Sequence, residues 1–193
     1  MGTLYKIGNK ILKIGNKILT ASDIPVPPLD YVTIGSQIWT SKNLSIDDGQ
    51  GGIYTQTVNY GQGDVVEYYY TWDAAMRVAA SVQGWHIPSS DDWRNLANSL
   101  GTSTAGTQLK STYGWQDDGN GTDDYGFSAF PAGNWNLSSF YNLGRYASFW
   151  TSHERSSTTA YYRRFDTGPT GATSYSNNKT NFAYSVRLIK DSV

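Results

Sequence analysis

Residues 84 to 96, GWHIPSSDDWRNL, carry the clearest helix signal in this chain. Ser89 and Ser90 are both favoured N-cap residues, and the two aspartates that follow suit the positive end of a helix. Gly101 is a natural helix stop. The apolar side chains recur at i, i+3, i+4 and i+7 and form one stripe: Trp93, Leu96, Ala97 and Leu100. We therefore predict a helix that packs this stripe against the core.

The sequence on either side of this helix predicts one further helix and many strands. Upstream, Thr71 is an N-cap for the segment WDAAMRVAASV. The segment YVTIGSQIWTSKNL, which starts at residue 31, predicts two strands joined by a turn, whereas residues 47–64 read as a loop rich in Gly, Asp and Gln. After residue 110 no helical periodicity survives. Two helices followed by an irregular β half predict an α+β domain.

Composition narrows the class of protein. The 193 residues suffice for one domain, and the net charge of −1 gives no electrostatic basis for binding nucleic acid or an anionic membrane. Charged residues make up 16%, Tyr occurs 15 times and Cys is absent, which excludes disulfides and thiolate metal sites. The sequence holds no apolar run of membrane-span length and no signal-peptide core. These features predict no membrane insertion, and a location on a virion, outside the cell or at the cell surface.

An internal repeat opens the chain. KIGNKIL at 6–12 is followed directly by KIGNKIL at 13–19. The isoleucines fit the spacing of an oligomerising helix, but Gly-Asn pairs between short β-branched runs are hairpin signals and favour a small β-meander. We interpret residues 1–21 as a segment for attachment to a virion or for self-association as a homo-oligomer, with a flexible tail as the alternative. A Pro-rich linker, 22–30, leads into a ligand-binding domain, 31–193.

Four motifs resemble a known family, in the same order along the chain: GWHIPSSDDWRNL, YGWQDDGNGTDDYGFSAFPAGNW, FWTSHE and YSVRLIKD. With the opening strand pair, they resemble the Fibrobacter succinogenes major paralogous domain over about residues 31 to 191. The resemblance implies a C-type lectin-like fold with two helices and an irregular β-rich C-terminal half. Members occur as bacterial surface proteins and as variable proteins of diversity-generating retroelements, often in phages. Those elements randomise adenines in a C-terminal repeat.

The C-terminal composition fits such randomisation. An Asn codon with its two adenines mutated cannot encode Lys, Gln, Glu, Met or Trp. Residues 136–182 hold only Trp150, Glu154 and Lys179 of these types, where the composition of the first 135 residues predicts about eight. Tyr, Ser, Asn, Thr and Gly make up 29 of the 49 residues from 134 to 182, as in an antibody paratope.

Codon reachability and the family pattern together select candidate ligand-binding residues. In AYYRRFD, strand alternation places Tyr162, Arg164 and Asp166 on one face, which we predict to be the ligand face, and their neighbours on the core face. The full candidate set consists of Asn136, Ser138, Ser139, Phe140, Tyr141, Asn142, Arg145, Tyr146, Ser148, His153, Arg155, Ser156, Thr159, Tyr162, Arg164, Asp166, Thr167, Thr180 and Asn181.

Metal and catalytic signals are weaker. QDDGNGTDD at 116–124 is rich in oxygen ligands, so Asp117, Asp118, Asn120 and Asp123 are weak calcium candidates, but the spacing differs from an EF-hand and favours a hydrogen-bonded turn. We expect no other cofactor. The sequence has no G-x-S-x-G elbow and no phosphate-binding G-x-x-x-x-G-K stretch, and we expect no enzymatic activity.

The sequence therefore predicts a binding protein. The first hypothesis is a variable protein of a diversity-generating retroelement, of the kind found at phage tails, which binds a host cell-surface protein or glycan. The alternative is a bacterial surface adhesin or glycan-binding module without diversification.

Overall fold

The computed structural model describes residues 6–7, 10–11, 13–14, 17–18, 28–169 and 171–191. In the N-terminal repeat, β1 (Lys6–Ile7) pairs with β2 (Lys10–Ile11), and β3 (Lys13–Ile14) pairs with β4 (Lys17–Ile18), both antiparallel. The described part of the repeat thus forms two hairpins rather than a helix, and its pairings are those of two separate ladders rather than one meander. Most of the predicted linker, residues 22–27, lies outside the described residues.

The predicted first strand pair is confirmed. β5 (Tyr31–Ile34) and β6 (Gln37–Thr40) are antiparallel and turn through Gly35, which has φ +59. β9 (Trp85–His86) and β16 (Ile189–Lys190) complete a four-stranded sheet in the order β5-β6-β16-β9. The last strand of the chain therefore lies inside the sheet that the domain begins with.

A long hairpin occupies much of the segment predicted to be a loop. β7 (Ile53–Asn59) pairs with β8 (Asp64–Tyr70) over seven residue pairs. The loop prediction for residues 47–64 is therefore wrong between 53 and 59. The sequence IYTQTVN is rich in β-branched and aromatic residues, which favour strands, and the glycines on both sides of it conceal that signal.

Three short helices are present in the described residues. α1 (Trp72–Ala79) begins after Thr71, and α2 (Ser90–Leu100) begins at a capping box in which Ser89 and Asp92 satisfy each other's backbone N–H groups. Both positions confirm the sequence prediction. α3 (Ala105–Leu109) was not predicted, since five residues are too few for a periodic signal. No helix among the described residues is long and apolar enough to cross a membrane.

The C-terminal half consists of two three-stranded antiparallel sheets. β10 (Asn134–Asn136) lies between β11 (Ser139–Tyr141) and β15 (Phe182–Ala183). β13 (Thr159–Phe165) lies between β12 (Ala147–Glu154) and β14 (Thr173–Asn178). The two faces of the second sheet pack against different hydrophobic clusters of the core.

The predicted fold class, an α+β C-type lectin-like fold with two helices, is wrong. Between residues 31 and 190 the described chain is mostly β, arranged as four small antiparallel sheets, and its helices have 8, 11 and 5 residues. The two periodic segments do form helices, but these are short, and strands make up most of the regular structure. The hairpin of β7 and β8, which adds a sheet before the first helix, went unrecognised.

The core is divided by the sheet of β12, β13 and β14. On one face, Phe149 and Phe165 pack with Trp93 of α2 in a cluster that also includes Trp39. On the other face, Trp150 packs in a second cluster with α1. Because successive residues of a strand point to opposite faces, the sequence FW at 149 and 150 supplies both clusters.

The buried Arg187 links distant segments of the chain by hydrogen bonds. Its side chain is 1% exposed and donates four hydrogen bonds. Nε donates to Asn43 Oδ1 at 2.8 Å, Nη1 to the carbonyl oxygens of Thr40 and Phe127, and Nη2 to that of Ser128. Burial lowers the pKa of this guanidinium, and the negative charges of Glu67 and Asp123 oppose that shift. A fully buried charge is tolerated here because its donors are paired.

We expect Arg187→Ala to destabilise the domain by about 3–5 kcal/mol, because it leaves buried carbonyl groups without donors. Equilibrium urea unfolding measures this change. The control is Arg94→Ala, since Arg94 forms an exposed pair with Asp91, and surface pairs contribute at most about 1 kcal/mol. If the two variants unfold at similar urea concentrations, the role given to Arg187 is wrong.

Candidate functional site

A cavity of about 300 Å³ lies between the two C-terminal sheets. This volume is at the small end of the range for ligand sites. Its walls are amide and aromatic side chains with one arginine. The lining residues are Asn134, Asn136, Tyr141, Asn142, Tyr146, Ser148, Tyr162, Arg164, Asn177, Phe182 and Tyr184.

Seven of the residues selected from the sequence meet at this cavity: Asn136, Tyr141, Asn142, Tyr146, Ser148, Tyr162 and Arg164. The selection missed Asn134, Asn177, Phe182 and Tyr184. Asn177 could have been found, because it lies at the alternating position of β14 that shares a face with Tyr175. Tyr184 stands in the YSVRLIKD motif, which indicated framework rather than a site.

The register of the sheet explains why β12, β13 and β14 contribute to one wall. Ser148 is paired with Arg164, and Tyr162 with both Trp150 and Tyr175. Cross-strand partners share a face, so these side chains lie on the cavity face. Phe165 and Arg163 point to the opposite face, where Phe165 is buried and Arg163 Nη2 donates to the carbonyl of Ser90 at 2.9 Å. The alternation predicted for AYYRRFD is therefore present.

The floor of the cavity consists of stacked tyrosines. Tyr162 and Tyr184 have ring centroids 4.3 Å apart at 24°, and Trp150 packs edge-on against both. Tyr162 is only 8% exposed, so its predicted role as a displayed side chain needs correction: it belongs to the core as much as to the cavity. Burial raises the pKa of the Tyr184 hydroxyl, and the neighbouring Tyr162 raises it further. The Tyr184 hydroxyl therefore stays neutral.

Arg164 is the only charged side chain that lines the cavity. Its guanidinium carbon lies 4.2 Å from the ring centroids of both Tyr146 and Tyr175, and Nη2 donates to the Tyr175 hydroxyl at 2.9 Å. In the part of the chain that the structure describes, no carboxylate lies within 4 Å of this guanidinium. The aromatic rings hold the cation in place without neutralising it.

The amide groups of the wall are only partly satisfied. Asn142 Nδ2 donates to Asn134 Oδ1 at 2.7 Å, and Asn177 Nδ2 donates to the Tyr184 hydroxyl at 3.0 Å. Two buried atoms of lining residues, Asn136 Oδ1 and Arg164 Nε, have no hydrogen-bond partner. Buried polar atoms in native proteins are nearly always paired, so these two atoms, which are closed to solvent, are unsatisfied within the protein.

The remaining twelve candidates lie outside the cavity lining, in four places. Ser138, Ser139 and Phe140 lie at the β10–β11 hairpin, with the exposed Arg145 shortly after it. His153, Arg155, Ser156 and Thr159 lie at the β12–β13 hairpin. Asp166 and Thr167 follow β13, and Thr180 and Asn181 follow β14.

Their contacts indicate local structural roles for several of them. Phe140 packs on Tyr69, with ring centroids 5.1 Å apart. Thr180 and Asn181 donate to Asn178 Oδ1 through their backbone N–H groups, which forms a tight turn. Ser156 Oγ and Thr159 Oγ1 are 2.8 Å apart in the β12–β13 hairpin. These candidates surround or support the cavity and do not form its wall.

Asp166 and Thr167 do not face the cavity as predicted. The strand ends at Phe165, so the alternation that placed Asp166 beside Arg164 stops one residue before it. Asp166 Oδ1 accepts the N–H of Gly168. The buried Lys110 donates from Nζ to the carbonyl oxygens of Asp166, Thr167 and Gly168 at 3.1, 3.2 and 2.8 Å. Lys110 therefore holds this segment in place, and no sequence pattern indicated that role.

The calcium-candidate loop forms a hydrogen-bonded turn. Asn120 Oδ1 accepts the N–H of Trp115, and the Asp123 carboxylate accepts both the N–H and the hydroxyl of Ser128. Asp117 lies 3.8 Å from Arg145. Within residues 28–169 and 171–191, no three carboxylate or histidine side chains are grouped as metal ligands. The oxygens of Asn120 and Asp123 are thus already used within the loop.

A second cavity, of about 440 Å³, surrounds Glu67. Asn43 Nδ2 and the Tyr60 hydroxyl donate to the Glu67 carboxylate, and Asn43 links it to Arg187. None of the lining side chains has an unpaired buried polar atom, and none belongs to the candidate set. Although this cavity is larger, its polar groups are already satisfied within the protein, so the smaller one is the better candidate site.

Tyr162 and Tyr141 line the same cavity but differ in burial, which predicts different costs of truncation. Tyr162→Ala should destabilise the domain by about 3 kcal/mol, as expected for a large buried ring. Tyr141 is 50% exposed, so Tyr141→Ala should change the free energy of unfolding by no more than about 0.5 kcal/mol. Urea unfolding of both variants checks this, and equal costs would show that the floor and rim are misassigned.

Comparisons with known proteins give one match. The family model described as the Fibrobacter succinogenes major domain matches residues 32–190. Neither the curated proteins nor the solved structures gave a match. The matched range runs from β5 to β16 and includes the cavity and the buried Arg187. The chain therefore belongs to the Fibrobacter succinogenes major domain family.

Proposed function

We propose that this chain is a ligand-binding variable protein of a diversity-generating retroelement, in which the cavity between the two C-terminal sheets is the recognition site. The observation that carries the proposal is the composition of the cavity wall. All eleven lining residues are Asn, Tyr, Ser, Arg or Phe, which are types that an Asn codon reaches when its adenines are mutated. Four of the eleven are asparagine itself.

Trp150, Glu154 and Lys179 are of types that such a codon cannot reach. Their contacts separate a structural framework from the cavity wall. Trp150 is fully buried, and its Nε1 donates to the carbonyl of Tyr70 at 2.7 Å. Lys179 Nζ lies 2.8 Å from Glu154 Oε1 and 4.4 Å from the ring centroid of Trp72. These three residues connect strands and α1 and leave the cavity wall to others. A framework separate from the recognition surface is what repeated diversification requires.

The mechanism proposed is surface complementarity, without catalysis. Tyrosine gives contact area at low entropic cost, and Asn and Ser give adaptable hydrogen bonds. The cavity takes one small group of a host-surface receptor, while the exposed candidates at the neighbouring hairpins contact the surface around it. A standard interface would bury about 800 Å² on each partner. This arrangement suits a receptor-binding protein at a phage tail or another exposed particle surface.

The N-terminal hairpins fit attachment to such a particle. A two-stranded hairpin is marginally stable by itself in water. Strands of two residues, as in β1 to β4, gain most by pairing with another sheet. We infer that the repeat docks on a virion component or on a second copy of the chain.

A second function is favoured by the shape of the site. A concave pocket of amides and aromatic rings suits a sugar better than it suits a flat protein surface. The alternative is therefore a bacterial surface adhesin or glycan-binding module with a fixed sequence. The two functions share the cavity and differ in whether its residues are diversified in the genome.

The DNA around the gene distinguishes them. Under the proposed function, a near-copy of the 3′ end lies beside a reverse-transcriptase gene and differs from the coding repeat mainly where the copy has adenine. The differences should fall on codons for cavity residues such as Asn136, Tyr141 and Tyr146, and should spare Trp150 and Lys179. Sequencing the locus tests this. Absence of both the copy and the reverse transcriptase would contradict the proposal and favour the adhesin.

A further inference from the structure

We propose that the cavity, in the form that this chain presents, binds a carboxylate-bearing sugar residue such as a uronic acid. This inference rests on the proposed function, since it names the ligand class of the same site. It concerns the present set of side chains and would change with them.

Charge is the first observation. Arg164 is the one ionised group among the lining residues, and the described residues place no carboxylate within 4 Å of it. A cation in a small concave site attracts an anion more strongly than one on an open surface does, because less water screens it. A neutral ligand would leave this charge without a partner.

The position of Arg164 is the second observation. Its guanidinium lies over the rings of Tyr146 and Tyr175, and one hydrogen bond to the Tyr175 hydroxyl fixes its orientation. A guanidinium has five N–H donors. The Tyr175 hydroxyl takes one from Nη2, Nε is closed to solvent, and the remaining Nη1 and Nη2 hydrogens have no partner among the described residues. A planar, fixed guanidinium with free donors matches the geometry of a carboxylate.

The other walls favour a sugar over an acidic side chain of a protein. The amide side chains of Asn136 and Asn142 and the hydroxyl of Ser148 lie around the same space. Sugar hydroxyls both donate and accept, so they can use these groups, whereas an Asp or Glu side chain offers only acceptors at its tip. Tyr141 and Phe182 add apolar ring surface at the rim. One sugar residue suits a cavity of about 300 Å³.

The test is isothermal titration of the full chain with three matched probes: methyl β-glucuronide, its uncharged carboxamide and methyl β-glucoside. We expect the glucuronide to bind at least about tenfold more tightly than either neutral probe, because charge-assisted hydrogen bonds contribute more than neutral ones. The preference should weaken with added salt. A peptide containing glutamate should bind no better than the neutral sugars.

Arg164→Gln should lower the affinity for the glucuronide to that of the two neutral probes, which removes the preference. Arg145→Gln is the matched control: Arg145 is exposed and lies outside the cavity lining, so the preference should remain. Melting curves establish that each variant is folded. The comparison of the three probes on the unaltered chain tests the proposal even if Arg164→Gln does not fold.

Equal affinity for the three probes would overturn the inference, and so would tighter binding of the glutamate peptide. Either result would leave the proposed function intact, because the DNA of the locus tests that separately. Failure to bind any sugar would also overturn the inference. Loss of the preference in Arg145→Gln but not in Arg164→Gln would show that the anion binds elsewhere.

Discussion

The buried guanidinium of Arg187 is the constraint on which the domain depends. It joins the segment before the final strand to β6 through Thr40, to the loop after β6 through Asn43, and to the segment of Phe127 and Ser128. The final segment is therefore held along its length in the interior, where Val186 and Leu188 are both fully buried. Three residues before Arg187, Tyr184 becomes the floor of the cavity. The same segment, between β15 and β16, thus closes the core and lines the proposed recognition site.

The sheet of β12, β13 and β14 contributes both to the core and to the cavity wall. One face carries Phe149 and Phe165. The opposite face carries the buried Trp150 and Tyr162, together with Arg164, which lines the cavity. Cavity residues and core residues alternate along β13, so a cavity residue can change without replacing a core residue. The exception is Tyr162, which packs in the core and lines the cavity at once.

Local features of the fold were predictable from the sequence and long-range ones were not. The N-cap at Ser89 and the alternation from Tyr161 to Phe165 depend on neighbours in sequence, and both predictions hold. The fold class and the burial of Tyr162 depend on partners far along the chain. The hairpin of β7 and β8 is local, and glycines on both sides of β7 conceal its strand signal. The roles of Lys110 and Arg187 depend on carbonyl groups that no side-chain pattern reveals. Only seven of the nineteen candidates line the cavity. Codon reachability selects residue types that are common over the whole exposed surface, and the cavity is only a small part of that surface.

The central claim is that the cavity wall can vary while the framework cannot. A display library with the codons of Asn136, Tyr141, Asn142 and Tyr146 randomised, sorted for protease resistance, measures this most directly. A second library randomised at Trp150, Lys179 and Arg187 provides the comparison. The account predicts that most members of the first library fold and that few of the second do. Equal loss of folded members from the two libraries would contradict it.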